Sequence, residues 1–569
     1  MNGVKPLSIP RGTWALIRYR PGFFLLSLLG STAYITTQLV PGWVEKIFFD
    51  QLTGAADITR PLAGILALLV VVELARSLVD IVAHWAEAHV RNAGGSLMRA
   101  NVVRNVLQKP GAEPLPVPVG DAINRLDDDV ADFADFPTWI PYLTGTFTFT
   151  LLAVYVLFTI APLITAVALL PLAGVLLLNR FAFRRFLRYN HRARQAASGV
   201  TAFLGETLGA VQAIKVAGAA GGVLAHFRQL NETRREASVR NAVFFALFNS
   251  ATQNMGDVAV AVMVLLAGFR ISQGTFSVGD FALFSAYLFY VAQFPAHIGS
   301  YLSEIAQERV VLERTQELQP HAPPESLVAR RPLRLSQPLS APRPQPGDEL
   351  QRLQVRGLTC RYEGKSGPEG APGGVEDVTF TLEAGSFTVI TGPVGAGKTT
   401  LLRALLGLLP RQAGQILWNG RLIEDPAAWF VPPRAAYVPQ TPRLFSDPLR
   451  HNILMGLPQD EVDLDAAIKA AVLVPDVARL EAGLETLVGP RGVRLSGGQV
   501  QRAAAARALV RRPSLLVLDD ISSALDVETE QQLWRNLLTP GDDGRRPTLL
   551  VVAHRPETLR RADQVLTLY

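Results

Sequence analysis

The sequence predicts a multidomain membrane protein. An all-α domain that crosses the bilayer six times is followed by an α/β domain built on a glycine-rich turn. Three observations carry this expectation. Apolar residues crowd before residue 320 into runs that approach or exceed the ~18–20 residues needed to span a bilayer. Basic residues cluster after every second run. Further on, the apolar segment Gly385-Ser-Phe-Thr-Val-Ile-Thr391 reads as a buried strand and Leu401-Leu-Arg-Ala-Leu-Leu406 as a helix, with a glycine-rich turn between them. The length of 569 residues suggests more than one domain, and 49% hydrophobic against 18% charged residues is apolar for a soluble chain of that size. Mean hydropathy is +0.22.

The spans are expected at about 22–44, 61–82, 138–159, 162–179, 243–268 and 279–300, each close to the length of a bilayer crossing. The third and fourth join at Ile160-Ala-Pro162, too short a turn for any domain. Arg11, Arg18 and Arg20 precede the first span. Arg91, Arg99, Arg104 and Lys109 follow the second, and Arg180, Arg184, Arg185, Arg188, Arg192 and Arg194 follow the fourth. This bias places both termini and the C-terminal domain in the cytoplasm of a plasma (inner) membrane protein. It also accounts for the net charge of +6 without nucleic acid. The first span has no small-residue cleavage pattern and is expected to be retained.

Within the spans, Glu73, Arg76 and Asp80, continued by His84 and Glu87, fall on one helix face. Asn249, Gln253 and Asp257 form a second stripe. Such groups avoid lipid. They either line a translocation path or pair between helices, with Glu73 and Arg76 neutralising each other. The Pro- and Arg-rich stretch at 321–349 reads as a poorly ordered linker separating domains at 1–320 and 350–569. Gly364–Gly374 reads as a mobile surface turn. The single cysteine, Cys360, excludes an intramolecular disulfide and a Cys-rich metal site.

The turn Gly392-Pro-Val-Gly395-Ala396-Gly397-Lys398-Thr399-Thr400 has the spacing of a phosphate-binding loop. Bare backbone N–H groups at a helix start converge on phosphate oxygens. Lys398 can reach the terminal phosphates and Thr399 can ligate Mg²⁺. Leu515-Leu-Val-Leu518 is a strand ending in Asp519 and Asp520, where a carboxylate can hold Mg²⁺. Leu495-Ser496-Gly497-Gly498-Gln499 opens an alanine-rich helix and offers a second phosphate receptor, more than one chain needs for one nucleotide.

These motifs together resemble the ATP-binding cassette of ABC transporters. The six spans with long cytoplasmic loops resemble an exporter-type half-transporter, over nearly the whole chain, with an α/β P-loop NTPase cassette at the C-terminus. The resemblance implies ATP and Mg²⁺ as cofactors and a second half-transporter as partner, because the phosphate loop of one cassette and LSGGQ of the other close on one ATP. It implies that Tyr362 stacks on adenine, Gln440 senses Mg²⁺, Asp526 lies in the loop crossing to the other cassette, and His554 contacts the γ-phosphate. By themselves, a strand tyrosine is ordinary core and a lone histidine is uninformative. Pro118–Arg125 and Gly209–Lys215 are similar to the helices that couple membrane domain to cassette.

Two residues depart from the family pattern. Asp520 stands where brisk hydrolases carry Glu, which pulls the carboxylate back by about one methylene. Either this site is weakened, as in many heterodimeric exporters of the family, or Asp520 still serves as base. A heterodimer is favoured over a homodimer on this ground. Pro490 stands where Glu is common in a loop that communicates with the membrane domain. The expected activity is ATP-driven export of an amphiphile, with lipid, drug-like molecule, peptide and glycan all open. The alternative is an ATP-operated regulatory half whose partner supplies efficient hydrolysis. An importer subunit is disfavoured, since importers usually split the two domains between chains.

Overall fold

The computed structural model describes residues 7–55, 61–111, 115–332, 349–366, 372–490, 492–522, 524–540 and 546–569. Within these, the side chains of 62, 172–173, 175–184, 186–187, 249, 251–253, 255–257, 259, 362–366 and 372 are not described. The chain forms two bodies. One comprises Met1–Val103 with Pro116–Leu333, the other Arg104–Leu115 with Arg334–Tyr569.

The first body is all helical. It begins with the amphipathic α1 (Ile9–Tyr19), which buries Leu16 and Ile17 and exposes Arg11, Trp14 and Arg18. The expected first span is divided into α2 (Pro21–Thr36) and α3 (Leu39–Leu52). At the break the bonding tightens to Gln38 N–H on Ile35 O and Val40 N–H on Thr37 O, and Pro41 removes a helical donor just beyond. The other spans fall in α4 (Leu62–Leu107), α7 (Trp139–Ile160), α8 (Pro162–Gly209), α10 (Ala220–Ser272) and α11 (Val278–Glu317). Short helices α5 (Val119–Asn124), α6 (Val130–Asp135) and α9 (Val211–Val216) occupy the loops. Pro21–Leu52, Val119–Ile160 and Val278–Glu317 are long and apolar enough to cross a membrane, whereas Pro162–Pro171 and Val260–Ser272 are shorter apolar stretches. In α4 the apolar run is interrupted by Glu73, Arg76 and Asp80.

Small residues set the packing of this bundle. A Cβ on Gly30 would lie 2.9 Å from the Ala83 Cβ, and one on Gly145 would lie 2.8 Å from Ile35 Cδ1. Helices α4 and α7 therefore approach α2 closely at glycines. Phe149, Leu157, Met263, Leu283, Phe284 and Tyr287 form the buried centre. Lys46 on α3 pairs with Asp50 at 3.0 Å and with Asp280 on α11, and Tyr287 donates to Leu39 O at 2.6 Å.

The stretch expected to open the linker is partly packed. Pro324–Val328 forms a 3₁₀ turn that buries Leu327 and Val328. Asn101 on α4 donates to Leu327 O at 3.1 Å and Ala329 O at 2.9 Å. The reason is two apolar side chains within the proline-rich composition, which find a buried site. Residues 333–348 lie outside the described residues.

The second body joins two sheets. β1 (Arg352–Ser366), β2 (Pro372–Glu383), β4 (Ala413–Trp418) and β5 (Arg421–Leu422) form an antiparallel sheet ordered β2-β1-β4-β5. Ser366 pairs with Pro372, so strands run into the segment read as a surface turn, whose residues 367–371 lie outside the described set. β3 (Phe387–Thr391), β6 (Ala435–Val438), β9 (Leu515–Asp519), β10 (Thr548–Val552) and β11 (Gln564–Thr567) form a parallel sheet ordered β11-β3-β10-β9-β6. The two-residue strands β7 (Asp447–Pro448) and β8 (Leu487–Val488) pair with each other. β9 and β10 are buried at every position, as expected for inner parallel strands. The helices are α12 (Lys398–Leu405), α13 (Pro426–Trp429), α14 (Leu449–Leu454), α15 (Leu464–Ala470), α16 (Val474–Arg479), α17 (Gly497–Leu509), α18 (Val527–Leu538) and α19 (Pro556–Arg561).

Candidate functional site

The C-terminal ends of β3 and β9 are where an open parallel sheet places its ligand crevice. Leaving β3, the chain makes a tight turn with Gly392 at φ 142°, Gly395 at 93° and Gly397 at 84°. A Cβ on Gly397 would sit 2.4 Å from Gly374 O, so backbone conformation and space both demand glycine there. Lys398 is the first residue of α12, and its ammonium folds back over the loop to Gly392 O at 2.9 Å and Pro393 O at 2.7 Å. Burial pulls the ammonium pKa down, while Asp520 and Asp519 pull it up.

Thr399 Oγ1 donates to Asp519 Oδ1 at 3.1 Å, and the Tyr437 hydroxyl on β6 donates to Asp519 Oδ2 at 3.2 Å. Burial pushes the Asp519 carboxyl above its ordinary range, against the lowering effect of those two hydrogen bonds. Burial and the Asp519 charge both push the Tyr437 phenol up. Asp520 adopts φ 52°, a left-handed conformation that Asp tolerates better than most residues. Its carboxylate accepts Gln440 Nε2 at 3.1 Å, and its N–H donates to Val552 O at 3.1 Å. Lys398, Thr399, Asp519, Asp520 and Gln440 are therefore brought together, with hydroxyl, carboxylate and carboxamide oxygens of the kind that binds Mg²⁺. His554 is exposed two residues beyond β10.

The start of α17 is a separate locus. Ser496 caps the helix in a capping box: its N–H donates to Gln499 Oε1 at 2.8 Å, and its Oγ accepts the Gln499 N–H at 3.3 Å. Gln499 Nε2 in turn donates to the buried Asp476, which also receives Arg502 at 2.7 Å. Asp526 caps α18 through the Thr529 N–H at 2.8 Å. The backbone of Tyr362 is in β1 but its side chain lies outside the described residues.

In the membrane body the first polar stripe pairs largely along its own helix. Arg76 reaches Glu73 at 2.7 Å and Asp80 meets His84 at 3.1 Å. Arg76 is buried, also contacts Gln38, and lies 4.9 Å from the centre of the Tyr34 ring. The side chains of Asn249, Gln253 and Asp257 lie outside the described residues.

Sequence reasoning missed Tyr437 and Asp476 as site-forming residues. Tyr437 lies three residues before Gln440, but only the β6–β9 pairing shows that its hydroxyl meets Asp519. Asp476 lies well before Ser496, in a short helix with no local signal.

A helical membrane body followed by a domain whose phosphate loop, acidic strand end and capped LSGGQ helix are all present is the architecture of the ATP-binding cassette class of membrane proteins. Two family models match the chain, the ABC transporter transmembrane region over residues 22–293 and the ABC transporter cassette over 375–523. The chain belongs to the ABC transporters, with the exporter-type half-transporter order of membrane domain first and cassette second. It is 29% identical over 385 residues to an ATP-dependent lipid A-core flippase of Burkholderia orbicola, covering 68% of this chain and 61% of that protein. It is 30% identical over 403 residues to the ABC multidrug transporter mdr2 of Aspergillus fumigatus, covering 70% of this chain and 48% of the relative. These two matches thus span less than two thirds of each relative's own length. A lipid A-core flippase of Pseudomonas fluorescens is matched at 27% identity over 96% of this chain and 89% of its own length. The fold resembles a solved bacterial Atm1-family ABC exporter with ATP bound, at a TM-score of 0.71 and 22% identity, covering 97% of this chain and 94% of that one.

Proposed function

We propose that this chain is one half of a dimeric, ATP-driven exporter that moves an amphiphile (lipid, drug-like molecule or peptide) across the plasma membrane by alternating access. The observation that carries this reading is the convergence of Lys398, Thr399, Asp519, Asp520 and Gln440 at the edge of the parallel sheet, in a chain that also holds the helical membrane body. Relatives named as a lipid A-core flippase and a multidrug transporter support an amphiphilic cargo.

In this reading Gly392, Gly395, Ala396, Gly397 and Thr400 shape the loop that wraps the phosphates. Lys398 leaves its carbonyl partners to neutralise phosphate charge, and Tyr362 stacks on adenine. Thr399 and Asp519, with Gln440 beside them, would hold Mg²⁺, which would supply neutralisation of phosphate charge. Asp520 accepts the proton of the attacking water and His554 orients the γ-phosphate. Ser496, Gly497, Gly498, Gln499 and Asp526 close on the nucleotide of the second cassette, so the site is completed by a partner subunit, with a heterodimer favoured by Asp520. Glu73, Arg76, Asp80, Asn249, Gln253 and Asp257 belong to the substrate path, and both termini and the cassette face the cytoplasm.

The test is ATP-dependent translocation of a fluorescent phospholipid and of a cationic dye by the native complex in sealed proteoliposomes, with Lys398→Ala as control. Transport that requires ATP and disappears in Lys398→Ala supports export. ATP hydrolysis with no movement of any amphiphile sinks it. The second reading, a regulatory half, rests on Asp520, and native mass spectrometry of the gently extracted complex bears on it. A mass of twice this chain rules it out, because Asp520 is then the working carboxylate at both sites.

A further inference from the structure

The roles assigned above leave the ion pair between the buried Glu530 and the half-buried Arg555 in the cassette body without a function. Glu530 on α18 is only 6% exposed, and its carboxylate takes the Arg555 guanidinium, the Trp534 indole N–H at 3.2 Å and the Thr558 hydroxyl at 3.0 Å. Arg555 directly follows His554 in the chain. Its other guanidinium nitrogen, Nη2, donates to Leu525 O at 3.0 Å. Leu525 precedes Asp526 in the turn between β9 and α18. The same turn abuts the start of α17, because a Cβ on Gly498 would lie 2.7 Å from Ala524 O. Three segments with separate nucleotide duties thus meet through Ala524, Leu525 and Arg555, and Glu530 anchors the junction.

Packing alone does not call for this arrangement. A buried carboxylate costs stability unless every oxygen is paired. Apolar side chains in place of the whole ion pair would often be as stable or more so, whereas loss of one partner alone is destabilising. An arginine that spans a carboxylate on one element and a carbonyl on another fixes the distance between them, because its planar fork is rigid. We infer that Glu530 and Arg555 are positioning residues, forming a strut that ties the His554 loop to the Asp526 turn. The strut thereby couples the nucleotide on this cassette's own phosphate loop to the one closed by its LSGGQ segment. This rests on the proposed function, in which His554 reads the γ-phosphate at one site and Ser496–Gln499 serve the other. A movement of His554 on nucleotide binding shifts Arg555, Arg555 carries Leu525, and the adjoining Ala524 carbonyl presses on Gly498. Among the described residues, Lys398, Thr399 and Asp519 bond to the phosphate loop, to each other and to Tyr437 rather than to the strut, so nucleotide affinity should not depend on it.

The experiment uses the native dimer in lipid nanodiscs and compares Arg555→Gln, Arg555→Lys and Glu530→Gln with wild type. Three quantities are read: kcat for ATP hydrolysis, its Hill coefficient, and the Kd of a fluorescent ATP analogue. Arg555→Gln should lower kcat about tenfold and bring the Hill coefficient toward 1, with Kd unchanged within about twofold. Arg555→Lys keeps a cation for Glu530 without the fork and should retain only part of kcat. If Arg555→Gln fails to fold, Glu530→Gln, which keeps an oxygen acceptor, should show the same split at about threefold. An active wild type equalled by either variant in kcat and Hill coefficient overturns the strut alone. So does a Kd that weakens in step with kcat, which would mark a merely structural role. A wild type that binds ATP and never hydrolyses it overturns the proposed function, and the strut with it.

Discussion

The polar groups at the phosphate loop of the cassette and those of the α4 stripe in the membrane body are arranged in opposite ways. In the cassette, Thr399, Tyr437, Asp519, Asp520 and Gln440 come from separate segments and bond across them, all at one sheet edge. In the membrane body, Glu73 pairs with Arg76 and Asp80 with His84, each within a turn of the same helix. Groups three or four residues apart on a helix satisfy each other wherever the helix goes. Groups from different strands meet only if the whole sheet is built to bring them together. Convergence across segments is therefore the stronger sign of a site, and both regions can be tested on that ground.

The largest expected effect tests the convergent side. Asp519→Asn keeps one oxygen for one of the two hydroxyls, Thr399 or Tyr437, and turns an NH₂ donor toward the other, which can accept it. The substitution removes the charge that would hold Mg²⁺. Hydrolysis should fall by about 100-fold, the scale of losing one electrostatic contact to a transition state. The melting temperature should stay near wild type. A variant that hydrolyses ATP normally would mean that Asp519 is a structural acid, and the comparison would lose its basis.

Next in size is Asp520→Glu. If the shorter arm is what limits water activation, turnover should rise about tenfold. The backbone resists in part, because φ is 52° here and Glu tolerates that conformation less well than Asp. The melting temperature should drop slightly while kcat rises. An unchanged or lower kcat would show that Asp520 is already the working base, and the case for a heterodimer would weaken.

How much the sequence disclosed follows from the same contrast. The phosphate loop, the acidic strand end and the LSGGQ helix start were legible because each is a local backbone device, a glycine turn or a cap, written in consecutive residues. Tyr437, Asp476 and the Glu530–Arg555 pair were not, since their roles arise from strand pairing and helix packing across tens of residues. The membrane helices were legible as apolar runs. The break at Thr37–Gln38 was not, because Pro41 lies inside a run that stays apolar on both sides. The packed turn at Pro324–Val328 was hidden by composition: Leu327 and Val328 are too few to register among prolines, yet enough to be buried.

The smallest expected effect decides the membrane side. Arg76 is buried, with its Nε unpaired, while Glu73 is about half exposed. If the pair only ties α4 to α2 through Tyr34 and Gln38, replacing both charges by apolar residues of similar size should leave transport intact and raise stability. If Glu73 and Arg76 line a path, the combined Glu73→Leu and Arg76→Met protein should keep its fold and its basal ATP hydrolysis, yet move the amphiphile about fivefold more slowly. We expect the second result, because Glu73 keeps an exposed carboxylate that lipid would not tolerate. Retained transport with a higher melting temperature would show that the stripe is paired for packing alone, and would move the search for cargo contacts to the other helices.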